Sequence, residues 1–220
     1  MRLSSLFRSF SLVAACGGAL WLTGCAGASS PTAPGESPAA AGGAIGAIGA
    51  IAGPQAVFWR NLYALCGQAF EGEITTPLTP TDTTFAGRRL VMHVRECSER
   101  EIRVPFHVGD DRSRTWVFTR TEAGLRLKHD HRHEDGSEDA ITQYGGDTAT
   151  TGTATRQEFP ADAYTATLIP AAATNVWTVE IEPGRYYSYA LRREGTDRRF
   201  RVQFDFSRPV APPPPPWGFE

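Results

Sequence analysis

All five histidines of this 220-residue chain fall between His93 and His133, and three of them alternate along one run, His129, His131 and His133. An imidazole can donate a hydrogen bond, accept one, or ligate a metal. As metal ligands these three are limited by distance. Strand positions two apart are separated by about 6.6 Å and positions four apart by about 13 Å, whereas Zn–N bonds span only about 2.0–2.1 Å. A metal set therefore uses neighbours: His131 and His133, with Glu138 from across a hairpin, completed by His93 or His107 from another strand. The other reading is a polar, imidazole-lined mouth of a ligand cavity, with His133 hydrogen-bonded to Glu138. A second cluster is His107, Asp110, Asp111, Arg112 and Arg114. Paired guanidiniums there could hold a carboxylate or phosphate in forked geometry; the same residues also suit an ordinary charged turn. The candidate ligand-binding set is thus His129, His131, His133, His107, Arg112 and Arg114. Binding through neutral imidazoles is expected to weaken as pH falls through about 6 to 7.

The elements that must position these groups begin with a hairpin. Asp135-Gly136 between two β-compatible runs predicts a two-residue turn. That register sets His133 opposite Glu138, Arg132 opposite Asp139, and His129 opposite Thr142. Alternation puts Leu125, Leu127, His129, His131 and His133 on one face, apolar at depth and polar toward the tip. Arg126, Lys128, Asp130, Arg132 and Glu134 form a solvated stripe on the other.

Around this hairpin the chain reads as all-β. Strand-like runs extend from Phe70 to Phe206, divided by turn clusters such as Gly109-Asp110-Asp111 and Pro183-Gly184. An amphipathic helix is expected near Phe58–Phe70 and a second short one at Pro160–Ile169. The last run alternates Phe200, Val202, Phe204 and Phe206 with polar residues. About 8–10 short strands at regular spacing predict an antiparallel up-and-down barrel, lipocalin-like or fatty-acid-binding-protein-like, with a short N-terminal helix; the alternative is a two-sheet sandwich.

Basic and acidic residues nearly balance, 22 against 24, which excludes the clustered basic excess of a nucleic-acid binder. No nucleophile elbow, phosphate loop or dinucleotide fingerprint occurs, so the sequence names no cofactor. The carboxylate pairs Asp110-Asp111 and Glu138-Asp139 lie in turns, where they are poor evidence for acid–base catalysis. Function narrows to two classes: a binding barrel for a small ligand, or a metal-dependent, hydrolase-like enzyme. A scaffold acting through the Pro-rich C-terminus is a third.

The first residues have the pattern of an export signal. Arg2 and Arg8 precede an apolar run that ends Leu22-Thr23-Gly24-Cys25. This resembles the lipobox of bacterial lipoproteins, which implies cleavage after Gly24 and lipid attachment to Cys25. Ala26 rather than aspartate then favours the outer membrane, on its periplasmic side. The expected layout is a signal peptide over 1–24, a lipidated N-terminus and Gly/Ala/Pro/Ser-rich linker over 25–55, the barrel over 56–208, and a Pro-rich tail over 209–220, loose or docked on the barrel. In an exported chain the two remaining cysteines, Cys66 and Cys97, are expected to form a disulfide. The blocks Arg89–Cys97, Val104–Trp116, Leu127–Asp139 and Gln143–Asp147, with Trp59 and Cys66–Phe70, resemble a group of uncharacterised secreted or lipid-anchored bacterial proteins. That resemblance implies a location and carries no activity.

Overall fold

A computed structural model describes residues 51–220; the expected signal peptide, Cys25 and most of the expected linker lie outside the described residues. The described chain opens with helix α1 (Gly53–Tyr63), and eleven strands follow: β1 (Ala69–Ile74), β2 (Leu90–His93), β3 (Glu96–Cys97), β4 (Glu101–Val108), β5 (Asp111–Thr121), β6 (Gly124–His131), β7 (Tyr144–Asp147), β8 (Arg156–Pro160), β9 (Asn175–Glu182), β10 (Tyr186–Arg193) and β11 (Arg199–Val210). Helix α2 (Ala163–Leu168) sits between β8 and β9, and a 3-10 turn spans Pro80–Phe85.

Ten strands form one antiparallel path in which successive strands pair, except β7 with β8, and β11 returns to β1; β3 only extends the pairing of β4. The result is a nearly closed up-and-down barrel, as the alternating faces require. Phe200, Val202 and Phe204 on β11 point inward and are buried. Closure removes sheet edges, each a row of unpaired backbone groups.

The seam lies between β7 and β8, where no ladder forms. Three side-chain and backbone bonds replace it: Asp162 N–H donates to the Gly145 carbonyl at 2.9 Å, the Thr165 hydroxyl donates to the same carbonyl at 2.8 Å, and Gly145 N–H donates to the Thr165 hydroxyl at 2.7 Å. The approach is close enough to demand glycine. A Cβ on Gly146 would stand 1.8 Å from the Pro160 carbonyl oxygen, and one on Gly145 would stand 2.0 Å from that of Leu127.

Helix α1 covers one end of the barrel. Its Phe58 and Leu62 are fully buried in the barrel core. The linker is accordingly shorter than expected: the helix begins at Gly53, and Gln55 is buried, donating to Thr148 Oγ1 at 2.9 Å and the Thr150 carbonyl at 3.2 Å. The Cys66–Cys97 disulfide ties the residues after α1 to the end of β3, with Cα atoms 6.3 Å apart. Across a separation of 31 residues such a link stabilises by about 3–4 kcal/mol in the chain-entropy model.

The tail docks as a strap on the outside of the wall. Strand β11 runs on to Val210, past the expected limit. Beyond it, Trp217 N–H donates to the Arg112 carbonyl at 3.2 Å and the Arg112 guanidinium donates to the Pro215 carbonyl at 2.9 Å. The Phe219 ring lies between the guanidiniums of Arg103 and Arg132, 4.7 and 4.9 Å from its centroid. Both arginines also bond Asp130, which is 2% exposed.

Candidate functional site

The end of the barrel opposite α1 opens into a cavity of about 430 Å³. Pairing explains what lines it. Along β5, Arg114, Trp116 and Phe118 share the inner face; they stand opposite His131, His129 and Leu127 of β6. On the far wall Trp177 pairs with Leu191, which pairs with Phe200. The charged Arg114 and Arg193 therefore stand at the rim ends of β5 and β10, with the aromatic Trp116 and Tyr189 deeper on the same faces. Aromatic rings dominate the middle layer: Trp116 stacks on Tyr189 with centroids 4.5 Å apart and on Phe106 at 4.9 Å. The 3-10 turn contributes Thr81, Asp82 and Phe85 at the mouth, and the segment after α2 contributes Ile169 and Ala172.

Two of the three alternating histidines face this cavity. His129 is 3% exposed. Its Nδ1–H donates to the Tyr144 carbonyl at 3.0 Å, so its neutral Nε2 accepts from the Tyr189 hydroxyl at 2.7 Å. Its ring also stacks on Tyr144, 4.4 Å between centroids. Burial pushes its pKa down to about 3. His131, one layer nearer the mouth, shares a hydrogen bond between its Nε2 and the Tyr144 hydroxyl at 3.1 Å. Burial, assisted by the nearby Arg114 charge, pushes it down to about 4, while burial pushes Tyr144 up to about 12. These shifts place both imidazole titrations below the pH 6 to 7 range expected from the sequence.

The hairpin tip departs from the expected register, and this relocates His133. The loop has three residues, Glu134 to Gly136: His133 N–H donates to the Ser137 carbonyl and Gly136 N–H to the His133 carbonyl, each at 2.9 Å. Gly136 takes the positive φ of 83° that closes such a loop. Arg132 thus pairs with Glu138, not Asp139. Farther down, His129 pairs with Tyr144 rather than Thr142, because the chain bulges through Ala140–Gln143 and turns at Gln143, φ 57°. The second strand of the hairpin accordingly begins only at Tyr144, as β7. His133 ends exposed at the tip, outside the cavity. Glu138 is exposed and bonds Arg132 at 3.4 Å.

The metal set His131, His133 and Glu138 is not assembled. Among the described residues no three His, Cys, Asp or Glu side chains come close enough to share an ion. The outer stripe is not uniformly solvated either, since Asp130 is buried between Arg103 and Arg132.

The second cluster is divided by the pleat. Arg114 lies at the cavity rim and is paired with Asp111 at 2.5 Å. Arg112 and His107 face outward instead, into a crevice under the strap shared with Arg89 and Pro212–Pro214. His107 is 4% exposed there, and its Nε2 has no hydrogen-bond partner. Burial, with the neighbouring His93 and Arg112, pushes its pKa down to about 4. His93 is also buried on the outward side and likewise depressed by burial.

Sequence reasoning missed most of the far wall. Trp177, Tyr189, Arg193 and Arg198 all line the cavity. The signal was present in the alternation of β9 and β10, whose inner faces carry Trp177 and Tyr189, but only barrel closure shows that they meet His129. Arg198 anchors the 3-10 turn at the mouth, donating to both oxygens of Asp82 at 2.8 and 2.6 Å. Asp82 is 1% exposed; burial opposes its ionisation, but hydrogen bonds from Arg198 and Thr79 outweigh that and hold its pKa low. No protein-family model, no characterised protein and no solved structure matches this chain.

Proposed function

We propose that the barrel holds a small, partly apolar ligand in the cavity at its open end, and that Cys25 carries the lipid that tethers it to the periplasmic face of the bacterial outer membrane. The observation that carries the binding reading is the cavity itself. Its 430 Å³ lies within the roughly 300–1,000 Å³ of small-molecule pockets, which are apolar clefts with a few oriented polar groups. Here those groups are His129 and His131, kept neutral by burial and oriented by tyrosines. The hydrolase reading has no ligand set among the described residues, and the scaffold reading would require a strap that packs on its own barrel to come away.

Native mass spectrometry of the freshly purified protein tests the binding reading. The expected result is a small organic adduct that chelators do not remove and that a cavity-filling Ala172→Trp protein lacks. A stoichiometric metal with no organic adduct would favour the hydrolase. For the tether, Cys25→Ser is expected to shift the exported protein from the membrane to the soluble fraction. A correctly exported variant that stays with the membrane would refute Cys25 as the anchor.

A further inference from the structure

Three guanidiniums line the cavity, and two of them are already neutralised: Arg114 by Asp111 at 2.5 Å, and Arg198 by both oxygens of Asp82. The third, Arg193, is the last residue of β10 and stands opposite Asn175 of β9. Its Nε donates to the Asn175 Oδ1 at 2.9 Å, a neutral partner that uses one edge of the fork and leaves the terminal nitrogens for another acceptor. The neighbouring Glu194 is paired with Arg192. Among the described residues no ion pair forms on Arg193, so a cation stands unneutralised at the rim. Below it the wall is built of flat faces: Phe106, Trp116 and Tyr189 stack within 20° of parallel. Stacked rings of this kind favour an offset planar partner, and a guanidinium fork favours a carboxylate.

Building on the cavity reading above, we infer that the ligand is a small planar aromatic acid, its ring against the Trp116–Tyr189 wall and its carboxylate on Arg193. Both the ring stack and Arg193 are held on strands, which keeps the acceptor position fixed relative to the wall. Of the two carboxylates that line the cavity, Asp82 is held by Arg198, and the other, Asp139, lies on the hairpin side. Its Oδ1 already accepts the Ile141 N–H at 2.8 Å, and a cationic ligand that chose it is the alternative the test must separate.

Three probes with the same ring, naphthoate, naphthylmethanol and naphthylmethylammonium, separate the possibilities by calorimetric titration of the purified protein. The wild type is expected to bind naphthoate about tenfold or more tighter than naphthylmethanol, the scale of a charge-assisted hydrogen bond. Arg193→Gln should abolish that preference while leaving naphthylmethanol affinity within about twofold. If Arg193→Gln does not fold, the wild type still decides the matter: the preference for naphthoate should shrink with added salt while naphthylmethanol affinity holds. Equal affinity for naphthoate and naphthylmethanol, a salt-independent preference, or tightest binding of naphthylmethylammonium would overturn the inference and leave the cavity reading standing. Failure of all three probes to bind would overturn both.

Discussion

His131→Ala is expected to weaken binding of a neutral aromatic probe such as naphthylmethanol by roughly fivefold, about 1 kcal/mol for one lost hydrogen-bonding group. Lys128→Ala should leave that affinity unchanged, because Lys128 points outward and bonds Asp162 at 2.5 Å across the seam. Its effect should be on stability instead, about 1 kcal/mol or less for a partly exposed pair, read by urea unfolding. The buried histidines also set the pH response. His107, His129 and His131 sit at about 4, about 3 and about 4, against 6.5 for a free imidazole. As pH falls the unfolded chain takes up these protons first, so the stability they contribute is complete above about pH 6.5 and is lost toward the folded values. Between roughly pH 6 and 4 each should cost about 1.4 kcal/mol per pH unit, and His93, also depressed, acts in the same direction. Melting temperature against pH should fall steeply in that window; a flat profile would contradict the burial. At this scale the sequence showed which face His129 and His131 share, because alternation alone decides it. It did not show their neutrality, which comes from burial inside the closed barrel.

At the scale of elements, the strap and the hairpin tip are where local pattern and outcome part. Asp135-Gly136 correctly marked a turn. The loop gained Glu134 because Gly136 supplies the positive φ of a three-residue connection, and that one residue moved His133 out of the mouth. The docked tail was one of two options the prolines left open. What decides it is long-range: Arg103 and Arg132, ordered by a buried Asp130, present two cations to one aromatic ring. Phe219→Ala should therefore cost about 1–2 kcal/mol, two exposed cation–π contacts, measured by urea unfolding. It should not change naphthylmethanol affinity, because the strap lies outside the barrel wall. A loss of binding in that variant would mean that the strap holds the rim hairpin through Arg132 and Gly136, whose Cα atoms or side chains pack on Gly218.

For the molecule as a whole, the barrel was legible because the code for it is local. Short alternating runs separated by Gly, Asp and Pro turns specify up-and-down pairing strand by strand, and the two body cysteines, Cys66 and Cys97, form the bridge expected of them. The seam was not legible. It depends on Gly145, Gly146 and a hydroxyl from Thr165 substituting for a ladder partner, contacts that no periodicity encodes. The position of the mouth follows from the same closure, since helix α1 occupies the other end. Four of the five tryptophans lie in the described residues and report on that division: Trp116 and Trp177 in the cavity wall, Trp59 on the buried face of α1, and Trp217 in the strap. Their indole N–H resonances, followed by NMR while naphthylmethanol is titrated into the purified protein, test the cavity directly. Saturable shifts at Trp116 and Trp177, with Trp59 and Trp217 still, are the expected result. Saturable shifts confined to Trp217, or four stationary resonances, would show that this cavity is not a binding site.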